Sequence, residues 1–354
     1  MRNKNYAPAS QRRRGQRGFT MLELLVSTTI FLVGTGAMYG LLKIAGSSRT
    51  TTNQRSDLMK NMRVALLTIG RDAFNAGYGY PNTAVLLPDD KMSGLFNIPN
   101  DTDTGRDLLP AVTAGTNITL NSLSNARTDQ VTFIFQDPAF NQVSGLSQSL
   151  PINAPTYDST NGLDQIVPVS GNAASCQAKD IMLVSGRNSA AVAVVTAVTG
   201  SNIKFAAGDV LGINTPSANA AINPMRNITV PAAMRRVTLV TYRVLADGTL
   251  VRTLYANDAT ATTSIPSRDQ PLVYGVESMK VEYVLDTGAV TTNPIAGPDN
   301  VAGTADDVAT NQNKVRQIRV SLTVRSIDKD ASGQPFRITL TSTFDTRNLG
   351  YDAA

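Results

Sequence analysis

The chain has 354 residues, 42% hydrophobic and 17% charged. It is too long and too apolar for a disordered tail, and long enough for one large domain or two modest ones. It holds no histidine, which removes histidine triads, histidine-ligated zinc and imidazole acid–base chemistry. Its single cysteine, Cys176, excludes an intramolecular disulfide or a CxxC site. The net charge of +5 is local: of 32 basic residues, six (Arg2, Lys4, Arg12, Arg13, Arg14 and Arg17) lie in residues 1–18, leaving 26 against 27 acidic residues elsewhere. A body without basic clustering is not a phosphate-neutralising surface, so nucleic acid is not expected as the main partner.

After the basic leader comes GFTMLELLVSTTIFLVGTGAMYGLLK. Leu24 to Leu42 are 19 residues without a charge, and as a helix they would span roughly 28 Å, close to the thickness of a bilayer core. Basic residues before the span place the leader on the cytoplasmic side and the remainder outside. Gly34, Gly36, Gly40 and Gly46 weaken this helix locally without ending it. Glu23 does not fit a plain anchor. A carboxylate at the start of an apolar run either lies at headgroup level or has a function.

The string GFTMLELLV resembles the class III signal of type IV pilins and type II secretion pseudopilins: a basic leader ending in Gly18, then Phe19, Glu23 and an unbroken apolar helix. The resemblance implies cleavage between Gly18 and Phe19 by a membrane prepilin peptidase, N-methylation of the new Phe19 amine, and pairing of Glu23 with the N-terminal amine of a neighbouring subunit. The physical chemistry agrees, because a carboxylate in an apolar setting is tolerable when paired and costly when alone. Small residues along 34–46 would let neighbouring helices approach closely. An ordinary secretory signal, cut near Ala45-Gly46-Ser47, and an uncleaved anchor are the alternatives. Neither gives Glu23 a role.

Beyond Ser47–Asn53 the pattern becomes amphipathic. Leu58, Met62, Ala65, Leu66, Ile69 and Ala73 share one helical face, while Lys60, Arg63, Arg71 and Asp72 are expected mostly on the other. Gly77, Gly79 and Pro81 read as stop signals. Residues 1–18 are therefore read as a removed leader. Residues 19–76 are read as one long helix, transmembrane in 19–45 and amphipathic in 54–76. Residues 77–354 are read as a β-rich head, with a split into 80–235 and 236–354 as an alternative to a single domain. The run Arg71-Asp72…Ala76-Gly77-Tyr78 at the helix end, and Thr346-Arg347-Asn348 near the C-terminus, are similar to PilW-type minor pilins. Taken alone, Arg71-Asp72 reads as a solvated pair and Gly77-Tyr78 as a C-cap.

Alternating patterns in 317–325 and 336–345 flank the turn-rich Asp328–Pro335, predicting an antiparallel pair with one buried face. Residues 236–245 and 249–255 flank Asp247-Gly248, a hairpin signal. Further strands are predicted at 131–136, 181–186, 190–198, 202–206 and 273–285. The expected fold is α+β and, by the resemblance, pilin-like: a long N-terminal membrane-spanning α-helix packed on a large antiparallel sheet head. Residues 140–175 and 287–314 read as loop tracts.

Chemistry in the head is sparse. Asp101, Asp103 and Asp107 around Gly105, and Asp299, Asp306 and Asp307 around Gly303, are weak candidates for Ca²⁺ ligation. The register of a full calcium loop is missing, and acidic turns in water explain both. No other cofactor is expected. No nucleophile–base pair, carboxylate dyad or phosphate loop stands out, so the chain is not read as an enzyme. The resemblance implies a bacterial inner-membrane protein, single-pass with a periplasmic C-terminus, that enters a type IV pilus as a minor subunit and acts in initiation and at the tip. Its implied partners are prepilin peptidase, other major and minor pilins through the N-terminal helix, and the inner-membrane assembly platform. A J-type tip pseudopilin of type II secretion and a pilus-displayed adhesin are the alternatives.

Overall fold

A computed structural model describes residues 18–82, 85–98, 107–142, 148–187, 189–294, 311, 314–329 and 334–349. The chain divides into two compact units, Met1–Gln54 and Arg55–Ala354. Helix α1, Met21–Asn75, is continuous over 55 residues. In the first unit its segment Met21–Gly46 is long and apolar enough to cross a membrane, and none of it is buried. Its hydroxyls turn back onto the helix. Ser27 Oγ donates to the Glu23 carbonyl at 2.7 Å, and Thr35 Oγ1 to the Phe31 carbonyl at 2.7 Å. This local bonding satisfies the polar groups of an otherwise apolar rod.

In the second unit the rest of α1 buries Met62, Ala65, Leu66, Ile69 and Ala73, with Leu58 packed against the same core. These are the residues whose spacing predicted one face. The main strands follow in chain order: β1 (Val112–Asn121), β2 (Ala126–Gln136), β3 (Ile181–Ser185), β4 (Ala190–Val194), β5 (Ala232–Val244), β6 (Leu250–Tyr255), β7 (Ser267–Val273), β8 (Val276–Leu285), β9 (Val315–Lys329) and β10 (Pro335–Asp345). A short helix α2, Lys91–Phe96, precedes β1.

Strand β5 organises the largest sheet. Its first residues pair with β3 and with Leu150–Ile152, and its later residues with β2 and β6. Residue 236, the alternative domain boundary, lies within this strand. The β5–β6 hairpin turns at Asp247-Gly248, where Gly248 has φ +83° and Asp247 accepts a hydrogen bond from the Thr249 amide at 2.9 Å. A second sheet runs Val290–Thr291, β8, β9, β10. Met279, Val281, Tyr283, Ile318, Val320, Leu322 and Val324 are buried on its inner face, as the alternation in 317–325 required. Nearly all pairings are antiparallel; Leu86 with Ala191 is a parallel one. The described residues thus form an N-terminal apolar helix and a large, mostly antiparallel β region, an α+β fold.

Three strand expectations are corrected. Residues 140–175 are not simply a loop tract: Leu150–Ile152, Thr156–Asp158 and Leu163–Ile166 are strands, too short for periodicity to reveal. The last two join Asn202–Ala206 and Ala197–Thr199 in a small four-stranded sheet. Residues 190–198 are two strands in different sheets, because the chain leaves β4 at Val195. Residues 273–285 are interrupted, since Val273 ends β7 and β8 starts after a turn at Gly275, φ +76°. Cys176 is buried in a second hydrophobic core beneath the small sheet, and burial pushes its thiol pKa up to about 12. A thiol held protonated and shielded is inert at neutral pH.

Candidate functional site

The start of α1 is shaped by local bonding. Gly18, Phe19 and Thr20 precede the helix and are exposed. Thr20 Oγ1 accepts from the Glu23 amide at 3.3 Å, and its hydroxyl also lies 3.4 Å from Glu23 Oε2. Thr20-x-x-Glu23 is a capping-box pattern, and an acid in the first turn complements the helix dipole. Glu23 therefore has a local role that the sequence reading did not assign, although the T-x-x-E spacing carries its signal. At Gly18 a Cβ would meet nothing within 4 Å, so the fold itself places no steric demand for glycine there.

The end of α1 is a buried polar junction. Asp72 is 2% exposed. Its Oδ2 accepts from Arg252 Nε at 2.7 Å and from Tyr242 Oη at 2.6 Å. Tyr242 Oη also lies 3.1 Å from the Thr68 carbonyl, and Arg252 reaches Gln270 Oε1 at 3.3 Å. Burial raises the Tyr242 pKa and the charge of Asp72 raises it further, so the phenol stays protonated and donating. Burial alone would lower the Arg252 pKa, but its hydrogen bond to Asp72 and the charge of that carboxylate outweigh this and the net shift is upward. Asp72 is thus not the solvated partner of Arg71. Arg71 is two-thirds exposed and 3.5 Å away, while the working cation comes from β6, 180 positions along the chain. An acid in the last turn opposes the helix dipole, and that turn contains no basic residue, so the charge has to be met from the sheet.

One turn further on, Gly77 adopts φ +81°, the left-handed conformation of a helix C-cap. Its amide donates to the Ile134 carbonyl at 2.9 Å. A Cβ there would sit 2.8 Å from Leu349 and 3.1 Å from the Asn348 carbonyl. Asn348 Nδ2 donates to the Phe74 carbonyl at 3.0 Å, and the Arg347 guanidinium lies 5.8 Å from the Phe74 ring centre. The two short strings singled out in the sequence, at the helix end and near the C-terminus, therefore meet. They line an open cleft of about 730 Å³ formed by residues 77–82, Arg347 and Asn348. Its described lining holds no carboxylate and no nucleophile–base pair.

Of the acidic candidates, Asp101, Asp103, Asp299, Asp306 and Asp307 lie outside the described residues. Asp107 is buried, and its Oδ2 accepts from the Met92 amide at 2.7 Å. It thereby supplies the N-terminal cap that the Asp90 side chain does not provide for α2. Burial raises its pKa, the backbone hydrogen bonds oppose the shift, and nearby Asp89 and Asp90 add to it. Among the described residues no group of three His, Cys, Asp or Glu side chains is placed to hold a metal ion.

Comparison with known families places two segments. Residues 13–39, which include Gly18, Phe19 and Glu23, match the prokaryotic N-terminal methylation motif. Residues 241–346, which include Tyr242, Arg252 and strands β6 to β10, match type IV pilus-assembly protein W. Neither the curated proteins nor the solved structures gave a match. With a methylation motif at its N-terminus and a pilus-assembly segment through its C-terminal strands, the chain resembles type IV pilin-like proteins of the minor-pilin kind and is similar to pilus-assembly protein W over residues 241–346.

Proposed function

We propose that this minor pilin is cut after Gly18 by a prepilin peptidase and N-methylated on Phe19. It is then held in the inner membrane by Met21–Gly46, with its head in the periplasm, and drawn into a type IV pilus through its N-terminal helix. There it acts in initiating assembly and stands at the filament tip. The observation that carries this reading is the helix itself. The same unbroken α1 offers at its start a 26-residue, predominantly apolar segment, Met21–Gly46, none of it buried. In its second half it buries one face in the head while its other face exposes Val64 (61%), Leu67 (71%) and Phe74 (45%). These three recur at helical spacing on the solvent face, interleaved with Lys60, Arg63 and Arg71, and offer a neighbouring helix a mixed apolar and basic surface. Gly18 supports the processing step, because a glycine that the fold does not require is explained by a peptidase that does. The size of the head supports the tip, since bulk is easier to place at a filament end than in a closely stacked shaft.

Mass spectrometry of the mature chain tests the processing step. A methylated Phe19 at the N-terminus is expected, and a chain beginning near Ser47 would overturn the reading. Labelling of intact pili tests the position: signal at filament ends is expected, and even, high-copy signal along the shaft would remove the tip role.

A further inference from the structure

Among the described residues the sheet edges are short, bulged or interrupted by proline, and one is long and regular over most of its length. A free edge strand presents unpaired amides and carbonyls that another chain can pair with, and natural proteins guard against this with short strands, prolines, charges and bulges. The edges formed by Leu108–Leu109 and Val290–Thr291 are two residues long, and those formed by Thr156–Asp158 and Ala197–Thr199 are three. Leu150–Ile152 carries Pro151, and β7 carries Pro271 beside Arg268 and Asp269. Strand β1 is broken by a bulge between Gly115 and Thr119. Strand β10 opens at Pro335 and carries charges only at Arg337 and Asp345, with neither proline nor bulge between them. From Arg337 to Asp345 it pairs with β9 in unbroken register, and among the described residues no strand pairs with its other side.

The free groups can be assigned. The Thr346 amide donates to the Arg316 carbonyl at 3.0 Å, so even-numbered residues bond to β9. By antiparallel alternation, the amides and carbonyls of Arg337, Thr339, Thr341, Thr343 and Asp345 face outward. All five residues are exposed. The neighbouring Ile338, Leu340 and Phe344 are only partly buried. An edge of this kind is complemented by an extended backbone whose side chains alternate between apolar and small hydroxyl types.

Charge and direction select the occupant. The second half of α1 runs alongside β10 in the same sense: the Arg55 guanidinium lies 5.1 Å from the Phe336 ring centre, and Gly70 packs on Phe344. Two copies whose Arg55–Asn75 helix segments run in the same direction would meet with these strands parallel, placing Arg337 beside Arg337 and Asp345 beside Asp345. Like charges directly opposite each other are destabilising. Two copies turned antiparallel would match these charges, but their helices would point in opposite directions. Resting on the proposed pilus role, we propose that β10 accepts an extended strand from a different pilus subunit. That strand carries an acid at the Arg337 end, where Glu277 already orients the guanidinium at 2.6 Å, and a base at the Asp345 end.

The test uses the purified full chain in detergent and a synthetic peptide of alternating valine and threonine, made with lysine first and glutamate last to match the charges antiparallel to β10 and in the reverse order to match them parallel. Saturable binding is expected, weakened roughly tenfold or more when the central threonine of the peptide is proline. Thr341→Pro in the protein should weaken it equally, because that amide faces away from β9 and proline is tolerated there. Hydrogen exchange of the unaltered protein provides a check that does not depend on the variant. The peptide should protect the outward amides of residues 337–345 and leave the even-numbered ones unchanged. Equal binding of the proline peptide, or protection elsewhere, overturns the proposal. A chain that is already dimeric, with these amides protected, assigns the edge to a second copy and also overturns it. In cells, Thr341→Pro should reduce piliation while Phe19 is still methylated. If Glu23→Ala lowers incorporation and Thr341→Pro does not, the edge proposal fails and the pilus role stands. If neither has an effect, the pilus role itself fails.

Discussion

Asp72 and Arg252, 180 residues apart in sequence, meet at 2.7 Å in the interior. One stands on the last turn of α1 and the other on β6, within the segment that matches pilus-assembly protein W. The pair therefore fastens the helix to the sheet that follows it late in the chain. Tyr242 donates to the same carboxylate oxygen, so the junction is a three-membered network rather than a simple ion pair.

Breaking that network leaves a buried charge without a partner. Asp72→Ala or Arg252→Ala should each destabilise the head by about 3–5 kcal/mol. The double variant should cost less than the two single costs combined, because both changes remove the same interaction. Asp72→Asn, which keeps an acceptor, should be milder than Asp72→Ala. Urea unfolding of the four proteins measures all of these. Strict additivity would show that the two residues act separately.

Gly77 is required by its conformation and by the space around it. Gly77→Ala places a Cβ in the left-handed region and against Leu349, and it should cost about 1–3 kcal/mol. Gly94 is a useful comparison, since a Cβ there meets nothing within 4 Å. Gly94→Ala, inside α2, should be neutral or slightly stabilising. Thermal melts should therefore show a lowered midpoint for Gly77→Ala and an unchanged or slightly raised one for Gly94→Ala.

Glu23→Ala separates processing from assembly. Cleavage after Gly18 and methylation of Phe19 should continue, while incorporation into filaments falls. Thr20→Ala removes the N-cap oxygen and leaves the carboxylate, so incorporation should largely persist. Immunoblots of sheared pili, with mass spectrometry of the membrane fraction, distinguish these outcomes. Equal loss in both variants would assign the effect to the helix cap.

Asp107 yields a pH prediction of definite sign. Its pKa is raised in the folded state, chiefly by burial, so the folded chain binds its proton more tightly than the unfolded chain does. This group therefore penalises the fold at neutral pH. The penalty is relieved as pH falls through the folded pKa toward the ordinary carboxylate value near about 4. Asp107→Asn keeps an acceptor for the Met92 amide and removes the charge. It should raise stability at pH 7 relative to the parent, and the advantage should vanish in acid. Asp107→Ala should lose about 1 kcal/mol from the missing cap. If added calcium stabilises the parent protein and not Asp107→Asn, the residue is a ligand rather than a cap.

Much of the fold was legible in the sequence because periodicity is a local property. The buried face Met62, Ala65, Leu66, Ile69 and Ala73, the alternation of Ile318, Val320, Leu322 and Val324, and the turn at Asp247-Gly248 all follow from spacing along a few turns or one strand. The methylation motif was legible for the same reason, since Gly18, Phe19 and Glu23 form one short string. The strands hidden in 140–175 were not, because three or four residues are too few for a period to appear. Nor was the fate of Asp72: a charged residue beside Arg71 looks solvated until a distant strand delivers Arg252 and Tyr242. Sequence alone determined that this protein has an apolar N-terminal rod bearing a methylation motif and a β-rich body. Only the tertiary structure decided which charges are buried, which distant strings meet and which strand edge the described residues leave unpaired, because each depends on partners brought together by folding rather than by proximity along the chain.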